Sequence, residues 1–77
     1  MRVASYTKGE ELPSVTTRVP GVYGLRPEDA EQPLATVDVR AGERLGFEAR
    51  PDGVIVAVAA QYEIPIDPAI PHHWTRE

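Results

Sequence analysis

Cysteine is absent, so neither disulfides nor thiolate zinc sites can compensate for a small core. Lysine occurs once, as Lys8, against seven arginines, and the net charge is −4. No Lys/Arg run exists, so the basic face that a nucleic-acid binder uses to release counterions is missing. No apolar stretch reaches the roughly 18 residues that a spanning helix needs. Residues Met1 to Tyr6 lack the apolar run of a secretory signal. These absences predict a cytoplasmic protein, host- or phage-encoded alike, with no nucleic-acid or membrane partner.

Several chemistries are excluded in the same way. Ser5 and Ser14 are the only serines, neither lies in a Gly-x-Ser-x-Gly elbow, and histidine occurs only at the C-terminal end. No phosphate-binding glycine loop is present. His72 and His73 are adjacent, and on an extended chain neighbouring side chains point in opposite directions, so one ion is not chelated by both. No metal-ligand spacing supplies further donors. The sequence predicts no catalytic residue, no cofactor and no metal.

What is present reads as β-structure. Residues 54–66 alternate Val54, Val56, Val58, Ala60, Tyr62, Ile64 and Ile66 with Ile55, Ala57, Ala59, Gln61, Glu63 and Pro65, a period of two that predicts one long strand. Its first half is apolar on both faces, which calls for cover on both sides. Ala57, Ala59 and Ala60 would admit either a second backbone or a loop of the same chain. Alternation also predicts strands near 34–40 and 44–50, joined at Gly42 and followed by the turn Arg50-Pro51-Asp52-Gly53, so that 34–40, 44–50 and 54–64 form an antiparallel meander. Shorter strands are expected over 2–7, 15–19 and 22–25, with a type II turn at Pro20-Gly21.

At Arg50 to Val54 two local rules conflict. Pro51 and Asp52 suit a type I turn with Gly53 left-handed in a bulge, which sets Arg50 opposite Val54. The binary pattern prefers Ala49 opposite Val54. Because Ile55, Ala57 and Ala59 are apolar too, a slip of one residue costs little here, and the turn is expected to decide. A bulge near Ala59-Ala60 would then bring Tyr62, Ile64 and Ile66 inward.

The expected fold class is all-β: a small, partly open antiparallel barrel or compact sandwich of five to six short strands with a C-terminal meander. Residues 1–64 make one β domain and residues 65–77 a proline-spaced extended tail. Pro65, Pro68 and Pro71 fall on one ridge of a polyproline II helix, which resembles a ligand for aromatic grooves; alternatively Ile64, Ile66 and Ile70 pack the tail back onto the domain. The segment Arg26 to Pro33 is a short helix begun at Pro27 or a solvated acidic loop. Glu48 and Glu63 are expected to pair with arginines across the sheet.

With 77 residues, only about 60% of the unfolded surface is buried. A thin core favours oligomerisation, and a dimer is expected. The functional expectation is a soluble, non-enzymatic interaction module that contacts another protein or itself. The second reading is a small acidic inhibitor or mimic that faces a basic surface. Glu28, Asp29, Glu31, Pro68, Pro71 and Trp74 are the candidate contact residues.

Overall fold

The computed structural model describes residues 2–77. Eight strands follow in order: β1 (Arg2–Tyr6), β2 (Ser14–Thr16), β3 (Gly21–Pro27), β4 (Ala35–Val39), β5 (Arg44–Ala49), β6 (Ile55–Ala59), β7 (Tyr62–Pro65) and β8 (His72–Arg76). They build two four-stranded antiparallel sheets, ordered β1-β8-β3-β4 and β2-β5-β6-β7. The all-β class and a compact two-sheet form are as expected. The strand count is higher because two expected elements are different from their sequence reading.

The first is the run 54–66, which is a hairpin rather than one strand. β6 pairs with β7 as Ala59 with Tyr62 and Ala57 with Ile64, leaving Ala60-Gln61 as a two-residue turn. Ala60 has φ of +56° while Gln61 does not have positive φ, the pattern of a type II′ turn, where glycine is the usual first central residue. Nothing in the Ala-Gln dipeptide announces a turn, and the alternation continues across it. Ala60→Gly should therefore raise stability by about 1 kcal/mol, since relief of a left-handed L-residue exceeds the entropy that glycine adds to the unfolded chain. A urea midpoint that falls instead would contradict this turn.

The turn at 50–54 decides the β5–β6 register. The Arg50 amide donates to the Val54 carbonyl (2.8 Å), the Gly53 amide donates to the Arg50 carbonyl (2.9 Å), and Gly53 has φ of +86°. The ladder continues as Ala49 with Ile55 and Phe47 with Ala57. Phe47 therefore shares its face with Ala57 and Ala59, and all three are buried. Ile64 and Ile66 also join this core, while Tyr62 stays 54% exposed at its rim.

Of the expected meander of 34–40, 44–50 and 54–64 only the pairing of β5 with β6 is present, continued by β7; β4 lies in the other sheet and pairs with β3. Residues 40–43 cross between the sheets, as do residues 17–20, which lead into the expected turn position at Pro20-Gly21. The two crossings are tied together by buried Thr17. Its amide donates to the Glu43 carbonyl (2.9 Å), its carbonyl accepts from Gly42 (2.8 Å), and its hydroxyl lies 2.8 Å from the Arg40 and Glu43 carbonyls.

The second difference is the C-terminal segment. Residues 65–77 are not a tail outside a domain of residues 1–64, because β8 lies between β1 and β3. Trp74 is 0% exposed, and its Nε1–H donates across the core to the Gly46 carbonyl at 3.0 Å. Nor do the prolines form one ridge. Pro65 ends β7, Pro68 sits in a turn closed by Ile70 N–H to the Asp67 carbonyl (3.1 Å), and Pro71 precedes β8. Ile70 is exposed, whereas Ile66 is buried and Ile64 half-buried.

The core lies between the sheets. Tyr6, Tyr23, Leu25, Val37, Val39 and Trp74 come from one sheet, and Leu45, Phe47, Ala57, Ala59 and Ile66 meet them from the other side. Val56 and Val58 point away from this core yet are buried. The register sets Val56 between Glu48 and Pro65, and Val58 between Gly46 and Glu63, so long charged side chains cover them. Arg50 Nε reaches Glu63 across the sheet at 3.3 Å, as expected, whereas Glu48 pairs not across the sheet but with Arg44 of its own strand. Among the described residues no helix is long and apolar enough to cross a membrane.

Candidate interaction edge

In an antiparallel ladder, alternate residues of a strand bond to opposite neighbours. The Glu77 amide donates to the Val22 carbonyl (2.8 Å), which assigns Val22, Gly24 and Arg26 of β3 to β8. Gly21, Tyr23 and Leu25 are left for β4, opposite Val39, Val37 and Ala35. The N–H and C=O groups of Thr36 and Asp38 consequently point to the open side of β4. The same logic, with Ile66 N–H bonded to the Ile55 carbonyl (3.1 Å), turns the backbone of Glu63 and Pro65 to the open side of β7.

The four sheet edges are not alike. Natural edges are blunted by bulges, prolines, charges or shortness. β1 carries an irregularity between Arg2 and Ala4. β2 is only three residues long. β7 places Pro65, which has no N–H, where an open donor would be. β4 has five residues in unbroken register, and its one charge is Asp38. Beyond its ends the donors are occupied: Leu34 N–H by the Leu25 carbonyl (2.6 Å) and Arg40 N–H by Glu43 Oε1 (2.7 Å). Two free donors, Thr36 and Asp38, remain.

β4 and β7 also face each other across an open seam. One cleft of about 590 Å³ is lined by residues including Asp38, Arg40, Glu43, Gln61 and Tyr62. A second, of about 400 Å³, runs along Ala35–Asp38 and Tyr62–Ile64. Leu34, 56% exposed, stands at one end of β4. The arrangement leaves backbone donors and acceptors beside exposed apolar side chains.

The sequence-derived contact residues lie elsewhere. Glu28, Asp29 and Glu31 are exposed in the β3–β4 connection, which is a loop: Ala30 N–H bonds to the Pro27 carbonyl (3.2 Å), and Asp29 has φ of +66°. Pro27 ends β3 instead of starting a helix. Pro68 is exposed and Pro71 half-buried. Trp74 is enclosed in the core and offers nothing to a partner. The β4 edge was not legible in the sequence because it depends on which strands pair.

His72 and His73 take opposite faces of β8, as their adjacency implied. His72 is buried, with Nδ1 2.7 Å from the Ile70 carbonyl, which fixes Nδ1 as the donor. His73 lies on the outer face, in register with Ser5 and Arg26. Its pKa is held below the ordinary 6.5 by partial burial, then by the Arg2 and Arg26 guanidiniums and His72, with Glu28 opposing. A lowered folded-state pKa means that the unfolded chain binds the proton first. Stability should therefore be complete above pH 6.5 and decline as pH falls from there through the folded-state value. His73→Gln should flatten that slope in urea midpoints taken against pH; an unchanged slope would contradict it. Among the described residues no three His, Asp or Glu side chains are grouped to hold a metal ion. Compared with family models, curated proteins and solved structures, the chain matches none.

Proposed function

We propose that the protein is a small non-enzymatic interaction module that binds another polypeptide strand along β4. The observation that carries this reading is the contrast among the four edges. Three are shortened, irregular or proline-blocked, while β4 keeps two free N–H and two free C=O groups in regular spacing. Strand addition takes its affinity from such main-chain bonds and its selectivity from side chains flanking the edge. Leu34 and Tyr62 supply apolar surface for that purpose. We place the module in the cytoplasm, where the lack of cysteine forgoes no disulfide.

The exposed loop with Glu28, Asp29 and Glu31 supports the second reading, a mimic directed at a basic surface. Salt separates the two, since contacts steered by exposed charge weaken as ionic strength rises. The test is affinity capture with the wild-type chain and with Thr36→Pro. This substitution removes an outward donor and no bond to β3, so the fold should survive it. Partners held at high salt by the wild type and lost by Thr36→Pro are the expected result. Equal capture by both, abolished by salt, would favour the acidic loop.

A further inference from the structure

We infer that the strand received by β4 is the β4 of a second copy, in an antiparallel two-fold pairing centred on Val37. The inference rests on the strand-addition reading and adds the identity of the partner. The argument is one of register. A two-fold pair of β4 strands can align Asp38 with Asp38 of the second copy, Thr36 with Thr36, or Thr36 with Asp38.

The first alignment sets like charges directly opposite, which is unfavourable, and needs the Arg40 amide, already bound to Glu43 Oε1. The second needs the Leu34 amide, already bound to the Leu25 carbonyl. The third uses Thr36 and Asp38 of each copy and no others, giving four main-chain hydrogen bonds.

Side chains agree with the backbone. Thr36 and Asp38 both lie exposed on the outer face, so each threonine hydroxyl can donate to the carboxylate opposite. Leu34 then comes opposite the aliphatic stem of Arg40 of the second copy. The edge is thus complementary to itself, as a two-fold interface requires. The two Asp38 carboxylates lie diagonally across the pair, roughly 7–8 Å apart at the Cα level, so salt should tighten the dimer, opposite to the salt effect on an acidic-loop contact.

The experiment combines sedimentation equilibrium with residue-resolved amide exchange over a concentration series. The expected result is a dimer mass at high concentration, with the Thr36 and Asp38 amides gaining protection while those of Ser5, Thr16 and Glu63 do not. Thr36→Pro should be monomeric at every concentration. Asp38→Asn keeps the acceptor and removes the diagonal repulsion, so it should dimerise about two- to fivefold more tightly. It tests the same register if the proline variant does not fold.

A monomer at all concentrations whose Thr36 and Asp38 amides exchange freely would overturn the second copy and leave strand addition standing. A monomer in which those amides are already protected would overturn both. A dimer with free Thr36 and Asp38 amides would overturn this interface.

Discussion

Trp74→Ala should lose most of the chain's stability, with a urea midpoint far below that of the wild type, as read by far-ultraviolet circular dichroism. A domain of 77 residues has net stability of about 4–12 kcal/mol at the usual 0.05–0.15 per residue. Removing a fully buried indole costs about 3–5 kcal/mol. Here the loss has a second part, because Trp74 Nε1–H is the donor to the Gly46 carbonyl at 3.0 Å, inside the core. An unpaired buried carbonyl adds about 1–3 kcal/mol. Trp74→Phe separates the two parts: it keeps most of the volume and loses the hydrogen bond, so it should remain folded with a lower urea midpoint. If Trp74→Ala unfolds at the wild-type midpoint, β8 is not an interior strand.

Gly46→Ala is the second large effect, and it arises on the other side of the same residue. A β-carbon at Gly46 would lie 2.2 Å from the Pro13 carbonyl oxygen and 2.8 Å from the Ser14 α-carbon. Both are backbone atoms, so no side-chain rotation relieves the clash, and β2 must move away from β5. Overpacking of this kind costs about 1–3 kcal/mol or more. The Phe47 amide, which donates to the Pro13 carbonyl at 2.8 Å, should lose its protection from exchange before the rest of β5. An alanine variant of wild-type stability, with the Phe47 amide still protected, would show that β2 does not cross so close.

Gly46 and Trp74 together explain how a thin core holds two sheets. The glycine lets β2 approach β5, and its carbonyl anchors the indole of β8 from the opposite sheet. Neither role is visible locally, because each depends on a neighbour far away in sequence. The turn at Arg50 to Val54 is the contrary case. Its proline, aspartate and glycine dictate the geometry within four residues, and the apolar character of both faces of β6 left the turn free to set the register.

Other elements were hidden for identifiable reasons. Ala60-Gln61 turns the chain without a turn residue, so alternation alone reads straight through it. Gly42 marks a genuine reversal of direction, but whether the flanking strands then pair or change sheets is set by Thr17, some 25 residues earlier in the chain, holding the 40–43 segment. The proline spacing at 65, 68 and 71 reads as one ridge, but the Asx turn at Asp67, whose Oδ1 accepts from Ala69 N–H at 3.0 Å, breaks it. The β4 edge could not be singled out before β8 was known to occupy the other side of β3.

That placement of β8 is the claim on which the rest depends, since it makes β4 an edge and encloses Trp74. Residue-by-residue amide exchange on dilute protein tests it directly. The expected result is slow exchange for His72 and Trp74, which face β1, and for His73, Thr75 and Glu77, which face β3, matching Phe47 and Ala57. Thr36, Asp38 and Glu63 should exchange freely in the same sample. Rapid exchange throughout residues 72–77 would mean that the C-terminal segment lies outside the sheet, and would contradict both the fold and the interaction edge derived from it.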